Sequence, residues 1–338
     1  MDKLIGYLLH QKNVFKQINK VMLEVHQKIT NLYGLNFSMN NLFKQTVFLA
    51  IIACLLWSSA FVGVKIGLQY HTPLQFAGIR FTISGIMLVP VIGNFSRLWK
   101  ETKENFGFVL LIAFLQVVLQ YSLFYTGISM VPSSIAAMVI GSSPLFIAIV
   151  AHYTISNDSM TRVKLSSIFL GIVGVAIISM RKQLPSGAEI ALPGIFILLL
   201  NNIVSGISNV VIAQKKHTIS PLVLTSSSLF IGGIILFLIS IPVEGLSNMD
   251  FPFEYYVALS WLSFLSAAAI SIWNTLLRRP GVKVSNLNIW KFLIPVSGAI
   301  LSWIILPNES PDIVSIIGMI VIASSLLILN FPLKRKVN

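Results

Sequence analysis

Ten stretches of about twenty mostly apolar residues follow one another between residues 46 and 331 of this 338-residue chain. That pattern narrows the possible folds to very few, because about 20 such residues are what a helix needs to cross about 30 Å of hydrocarbon. The stretches run near 46–66, 73–93, 106–128, 132–154, 163–180, 191–213, 221–242, 255–277, 285–306 and 312–331. Pro73, Pro132, Pro221 and Pro311 sit at or just before helix starts, where a missing N–H costs little. The expected fold is an all-α membrane protein of ten transmembrane helices.

Composition agrees. Apolar residues make up 55% of the chain and charged residues only 10%, with a mean hydropathy of +0.84. A soluble domain averages about 25% charged residues. Cys54 is the single cysteine, so no internal disulfide forms. His10, His26, His71, His152 and His217 lie too far apart for metal-ligand spacing, and no metal or other cofactor is expected. The net charge of +13 sits in short clusters between apolar stretches, which encodes membrane topology rather than nucleic-acid binding.

Those clusters set the orientation. With the first helix starting inside, the cytoplasmic side holds fourteen basic residues: Lys44, Arg97, Lys100, Lys103, Arg162, Lys164, Lys215, Lys216, Arg278, Arg279, Lys283, Lys334, Arg335 and Lys336. The outer side holds three: Lys65, Arg181 and Lys182. The positive-inside rule then puts both termini in the cytoplasm, in a cell membrane. Removing one helix would place every later cluster on the wrong side.

Residues 1–45 form a cytoplasmic extension with no signal-peptide core. Val14, Ile18, Val21, Val25 and Leu32 recur at helical spacing with Lys12, Lys16, Lys20 and Lys28 between them. This reads as a basic amphipathic helix on the inner membrane face, as a variable, weakly ordered extension, or as an upstream start with Met39 the natural beginning. Residues 332–338 form a basic cytoplasmic tail.

The chain also repeats itself. Pro144-Leu145-Phe146 leads after thirteen residues to Asn157-Asp158-Ser159, and Pro295-Val296-Ser297 leads likewise to Asn308-Glu309-Ser310. His71-Thr72-Pro73 is mirrored by His217-Thr218 and Pro221, and Gly171 and Gly174 by Gly318. Residues 46–180 and 191–331 therefore read as two copies of one five-helix unit. Five is odd, so the second copy must be inverted in the membrane, with Asp158 inside and Glu309 outside. Inverted repeats with a site at their interface are the architecture of many secondary transporters.

Short motifs mark both halves of the chain. The first half carries Leu56-Trp57-Ser58 with Phe61, Thr72-Pro73 with Arg80-Phe81, Tyr121 to Tyr125 leading into Val131 to Ala137, and Ser143-Pro144-Leu145-Phe146. The second carries Trp273-Asn274, Leu276 to Arg279, Leu293-Ile294-Pro295-Val296, and Glu309 before Gly318. These motifs resemble the drug/metabolite transporter superfamily, in particular the EamA family, and the resemblance implies export or exchange of amino acids, other metabolites or drugs. An exchanger of phosphorylated or nucleotide-linked metabolites is the alternative within transport. This sequence departs from the pattern at Asp158, where Glu is usual, at Ser228 in Arg80's counterpart position, and at the polar Asn288 and Lys291.

Polar groups inside hydrocarbon are costly and tend to face a cavity or a partner. All eleven acids fall in loops, at helix ends or in the extension, so no acidic proton relay crosses the bilayer. An exchanger, a facilitator or coupling through the substrate fits this, as does an acid at a helix end such as Glu309. Two cations lie inside. Lys291 either offers its charge to an anionic group or snorkels to the headgroups, and Arg80 either bonds helix-end carbonyls or meets substrate. Asn201, Ser205 and Asn209 share one helix face, with Asn202 beside them. Gln116 and Gln120 have the same spacing, with Tyr121 and Tyr125 adjacent. These stripes, with Asn274 and Asn288, either line a cavity or hydrogen-bond between helices. Trp57, Trp273 and Trp290 form its apolar walls or pack between helices. Pro144 and Pro295 are candidate structural or gating positions, with Arg80 and Glu309.

No nucleophile elbow, Walker loop or paired carboxylates suggest an enzyme. A channel or a structural membrane protein is the rival from another class. The expected partners are a small-molecule substrate and the lipid bilayer, without nucleic acid.

Overall fold

The computed structural model describes residues 46–154, 161–179, 191–214, 218–246, 250–279, 282 and 284–330. Asp158, Arg181, Lys182, Lys215, Lys216, His217, Lys283, the extension up to residue 45 and the tail after residue 330 lie outside the described residues. Regular structure among the described residues is entirely helical.

Seven helices are long and apolar enough to cross a membrane. They are α1 (Thr46–Gly67), α2 (Pro73–Ile92), α4 (Phe106–Ser129), α5 (Ser133–Thr154), α7 (Leu192–Gln214), α8 (Pro221–Glu244) and α9 (Phe253–Leu277). Between α2 and α4 lies the short polar α3 (Phe95–Glu104). Three further helices carry apolar stretches of 10–17 residues: α6 (Arg162–Ser179), α11 (Leu293–Ile305) and α12 (Ile313–Asn330). Every apolar stretch of the sequence falls on one of these ten.

The window 285–306 is not one continuous helix. It comprises α10 (Val284–Asn288), a 3₁₀ turn at Ile289–Phe292, and then α11. Pro295 accounts for the break. Its ring lacks an N–H and crowds the carbonyl four residues back, that of Lys291. Pro144 does the same in α5, where the ladder tightens at Ser142 and its N–H reaches Val139 O and Ile140 O. A π-helical segment, Ala113–Leu119, interrupts α4. Such bulges occur frequently at functional sites.

Small residues bring helices close. A Cβ on Gly78 would sit 2.6 Å from Phe237 N, and one on Gly85 2.6 Å from Phe230 N. Numbers rise along α2 as they fall along α8, so the pair is antiparallel. The same holds for α6 and α12, where Gly174 meets Ile322 and Gly318 meets Ile178, and for α5 and α11, where Gly141 meets Pro295 and Ala137 meets Gly298.

Carboxylates from distant segments cap helix starts. Glu244 accepts from Leu74 N at 2.9 Å and Gln75 N at 3.1 Å, at the start of α2. Glu101 accepts from Ser220 N at 2.7 Å, just before α8. Glu309 accepts from Ser133 N at 2.5 Å and from Ser134 N at 2.7 Å, at the start of α5. The first N–H groups of a helix lack intrahelical partners and carry the positive end of its dipole, so an anion satisfies both needs.

Candidate functional site

The interrupted segments and polar stripes meet in a central cavity of about 90 Å³. That is room for a few ordered waters. Its walls come from α1, α2, α4, α5, α7, α9, the 3₁₀ turn and α11.

Lys291 enters from the 3₁₀ turn that Pro295 imposes. It is buried, with Nζ 4.9 Å from the ring centre of Trp273 and 5.7 Å from that of Trp57. The two indoles meet edge-on at 5.0 Å. The ammonium is thus held over aromatic faces rather than extended to the membrane surface. Trp273 is fixed in turn, since its Nε1–H donates to Asn209 Oδ1 at 2.9 Å. Asn209 Nδ2 donates to Ser205 O at 2.8 Å.

Arg80 is 1% exposed, and each of its three side-chain nitrogens donates to a neutral group. Its Nε donates to Leu262 O at 3.1 Å and Ser266 Oγ at 2.9 Å, Nη1 to Tyr125 OH at 2.7 Å, and Nη2 to Ser266 Oγ at 2.7 Å. Leu262 lies well inside α9, so the expectation of a helix-end carbonyl is corrected. The fork binds mid-helix because Ser266 and Tyr125 converge there from two helices. Ion pairs among the described residues are Arg97–Glu101 and Lys100–Glu104, both on α3. Neither cavity cation faces an acid among the described residues.

Asn202 Nδ2 donates to Val139 O at 2.8 Å, at the break in α5. The buried Asn201 Oδ1, Asn202 Oδ1 and Ser208 Oγ have no protein hydrogen bond. Buried polar atoms require partners, so these three remain available to water or a bound molecule.

A family model matches this chain over residues 44–180 and again over 192–331: the EamA-like transporter family. The chain belongs to the EamA-like transporter family. As a member it is a multi-pass membrane protein that moves a small molecule, and the family is one of transporters rather than enzymes. Its similarity to an uncharacterized transporter, YvbV, of Bacillus subtilis is 25% identity over 294 residues, 86% of this chain and 93% of that protein. A probable amino-acid metabolite efflux pump of Escherichia coli is 26% identical over 297 residues, 85% and 95% of the two chains. A solved structure superposes with a TM-score of 0.62 at 16% identity, covering 84% of this chain and 95% of its own, a likeness of fold.

In this EamA-like transporter the cavity gathers Trp57, Arg80, Gln116, Gln120, Tyr121, Asn201, Asn202, Ser205, Asn209 and Lys291. Six of the other residues singled out in the sequence stand elsewhere. Tyr125 is buried against Arg80 behind the wall. Asn274 bonds Gln116 at 3.3 Å and Thr225 Oγ1 at 3.0 Å, between helices. Asn288 donates to Val284 O at 2.8 Å within its own turn. Pro144 and Pro295 break their helices, and Glu309 caps α5. Ser208 and Phe61 line the cavity without having been foreseen. Ser208 follows Asn201 by seven residues, a spacing that would have found it.

Proposed function

We propose that this EamA-like transporter exports a small metabolite bearing a carboxylate by alternating access between two inverted five-helix repeats. One observation carries the reading. Lys291, caged by Trp57 and Trp273, lines a cavity where no described acid offsets its charge. Insertion scales put a central buried charge at about 2.5–3.5 kcal/mol. A carboxylate in the cavity offsets that cost, and the open acceptors Asn201 Oδ1, Asn202 Oδ1 and Ser208 Oγ suit an ammonium or hydroxyl on the same molecule. The Escherichia coli relative named for amino-acid metabolite efflux supports an amino acid or a related anion.

Three features support the architecture. The family model matches twice, α2 and α8 run antiparallel as do α6 and α12, and Glu101 beyond α2 caps α8 while Glu244 at the end of α8 caps α2. In this reading the ten apolar helices all span the bilayer of the cell membrane and both termini are cytoplasmic. Residues 46–180 and 191–331 are the repeats, flanked by the extension 1–45 and the tail 332–338. With no acid lining the cavity among the described residues, exchange or coupling through the substrate itself drives transport.

Counterflow in proteoliposomes tests this. Vesicles loaded with a pool of amino acids and organic acids should accumulate a labelled member of the pool against its gradient. Uptake that never exceeds equilibration would point to a channel and remove the carrier reading.

A further inference from the structure

A second cavity of about 690 Å³ lies apart from the first, between α3 and the flanks of α2 and α8. It is built by local chain geometry. Gly93 adopts a left-handed φ of 68°, which ends the short helical turn at Ile92. The Asn94 side chain then accepts from Arg97 N at 2.9 Å and starts α3. This ten-residue helix is too short and too polar to cross a membrane.

Its two faces differ sharply. Phe95, Leu98, Trp99 and Thr102 recur at three- and four-residue spacing and face the cavity. Phe95 is 69% exposed and Trp99 65% exposed. Arg97, Lys100 and Glu104 are also exposed but line no part of it. Across the groove stand Ile86 and Phe230. Two contacts fix α3 over the groove. The Thr102 and Ser227 hydroxyls lie 2.6 Å apart, and Glu101 accepts from Ser220 N at 2.7 Å.

The charges on α3 do not cancel. Arg97 pairs with Glu101 at 2.6 Å and Lys100 with Glu104 at 4.0 Å. Lys103 has no acidic partner among the described residues, and it lines the groove. An apolar trough with one unmatched ammonium on it is complementary to a molecule with a long hydrocarbon tail and an anionic head. A zwitterionic head would bring its own cation to Lys103, and a free phosphate would leave the trough unfilled.

We infer that this groove holds an anionic phospholipid, its acyl chain along Phe95, Trp99 and Phe230 and its phosphate at Lys103. The site is independent of the central cavity and of which leaflet α3 faces. A juxtamembrane basic residue contributes roughly a fivefold preference for anionic over zwitterionic lipid.

Quenching of Trp99 by brominated lipid reads this directly. The full-length protein and its Trp99→Phe variant are reconstituted in phosphatidylcholine vesicles doped with brominated phosphatidylglycerol or brominated phosphatidylcholine. The difference between the two proteins isolates Trp99 from the other indoles. The expected result is half-maximal quenching at a roughly fivefold lower mole fraction of phosphatidylglycerol. Lys103→Gln should abolish that preference, and Lys100→Gln should keep it. Equal quenching by both lipids, a preference surviving Lys103→Gln, or no quenching of Trp99 would each overturn the assignment. Lys103 is exposed, so its replacement leaves the fold intact.

Discussion

Lys291 and Arg80 are the two cations of the cavity, and their surroundings give them different tasks. Lys291 makes ring contacts that leave its N–H groups free, whereas Arg80 spends its guanidinium on Leu262, Ser266 and Tyr125. Lys291→Ala should therefore weaken carboxylate substrates about tenfold, equivalent to about 1.4 kcal/mol, while leaving neutral ones nearly unchanged. Competition assays with paired acid and amide ligands read the difference, and an equal loss for both would remove Lys291 from binding. Arg80→Lys should instead lower thermal stability in detergent by about 2 kcal/mol, because an ammonium cannot reproduce the planar fork. At this scale the sequence revealed the stripes but not their neighbours. Spacing places Asn201, Ser205 and Asn209 on one face. It does not say that Tyr125 and Asn274 are covered by Arg80 and Thr225, since those contacts join segments 45 and 49 residues apart.

The helices owe their ends to remote carboxylates as much as to their own sequence. Glu309 satisfies two backbone N–H groups of α5 across 176 residues of chain. Glu309→Gln keeps the shape and loses the charge, and a loss of about 1–2 kcal/mol is expected from melting in detergent. Glu101 adds a pH dependence. Burial pushes its carboxyl up, but the Ser220 N–H and the Arg97 guanidinium outweigh this and hold it below the ordinary 4.5. Its stabilising effect is thus complete above that value and is lost as pH falls through the depressed folded pKa. Melting curves from pH 6 to about pH 3 should show a component that vanishes in Glu101→Gln. Close helix contact is equally testable: Gly78→Ala would press a methyl group on the backbone at Phe237 and should cost about 1–3 kcal/mol. Apolar windows and prolines made nearly every helix legible. The 3₁₀ turn at Ile289–Phe292 was not, since 285–306 reads as one apolar stretch and a proline marks a lost bond without saying how the chain rearranges.

At the scale of the whole molecule, α2 pairs antiparallel with α8, α5 with α11 and α6 with α12, and the cavity carries a lysine that no acid among the described residues neutralises. The repeat was visible in the sequence through its prolines and acids, whereas the meeting of eight wall segments at Lys291 required the packing. The central claim is that this cavity opens to each face of the membrane in turn. Ser205, 8% exposed on the cavity wall, is a suitable reporter once the buried Cys54 is replaced. Ser205→Cys in a Cys54→Ser background should react with a membrane-impermeant maleimide from the outside in right-side-out vesicles and from the inside in inverted ones, while the vesicles stay sealed to the reagent. Reaction from only one face, with and without substrate, would contradict alternating access.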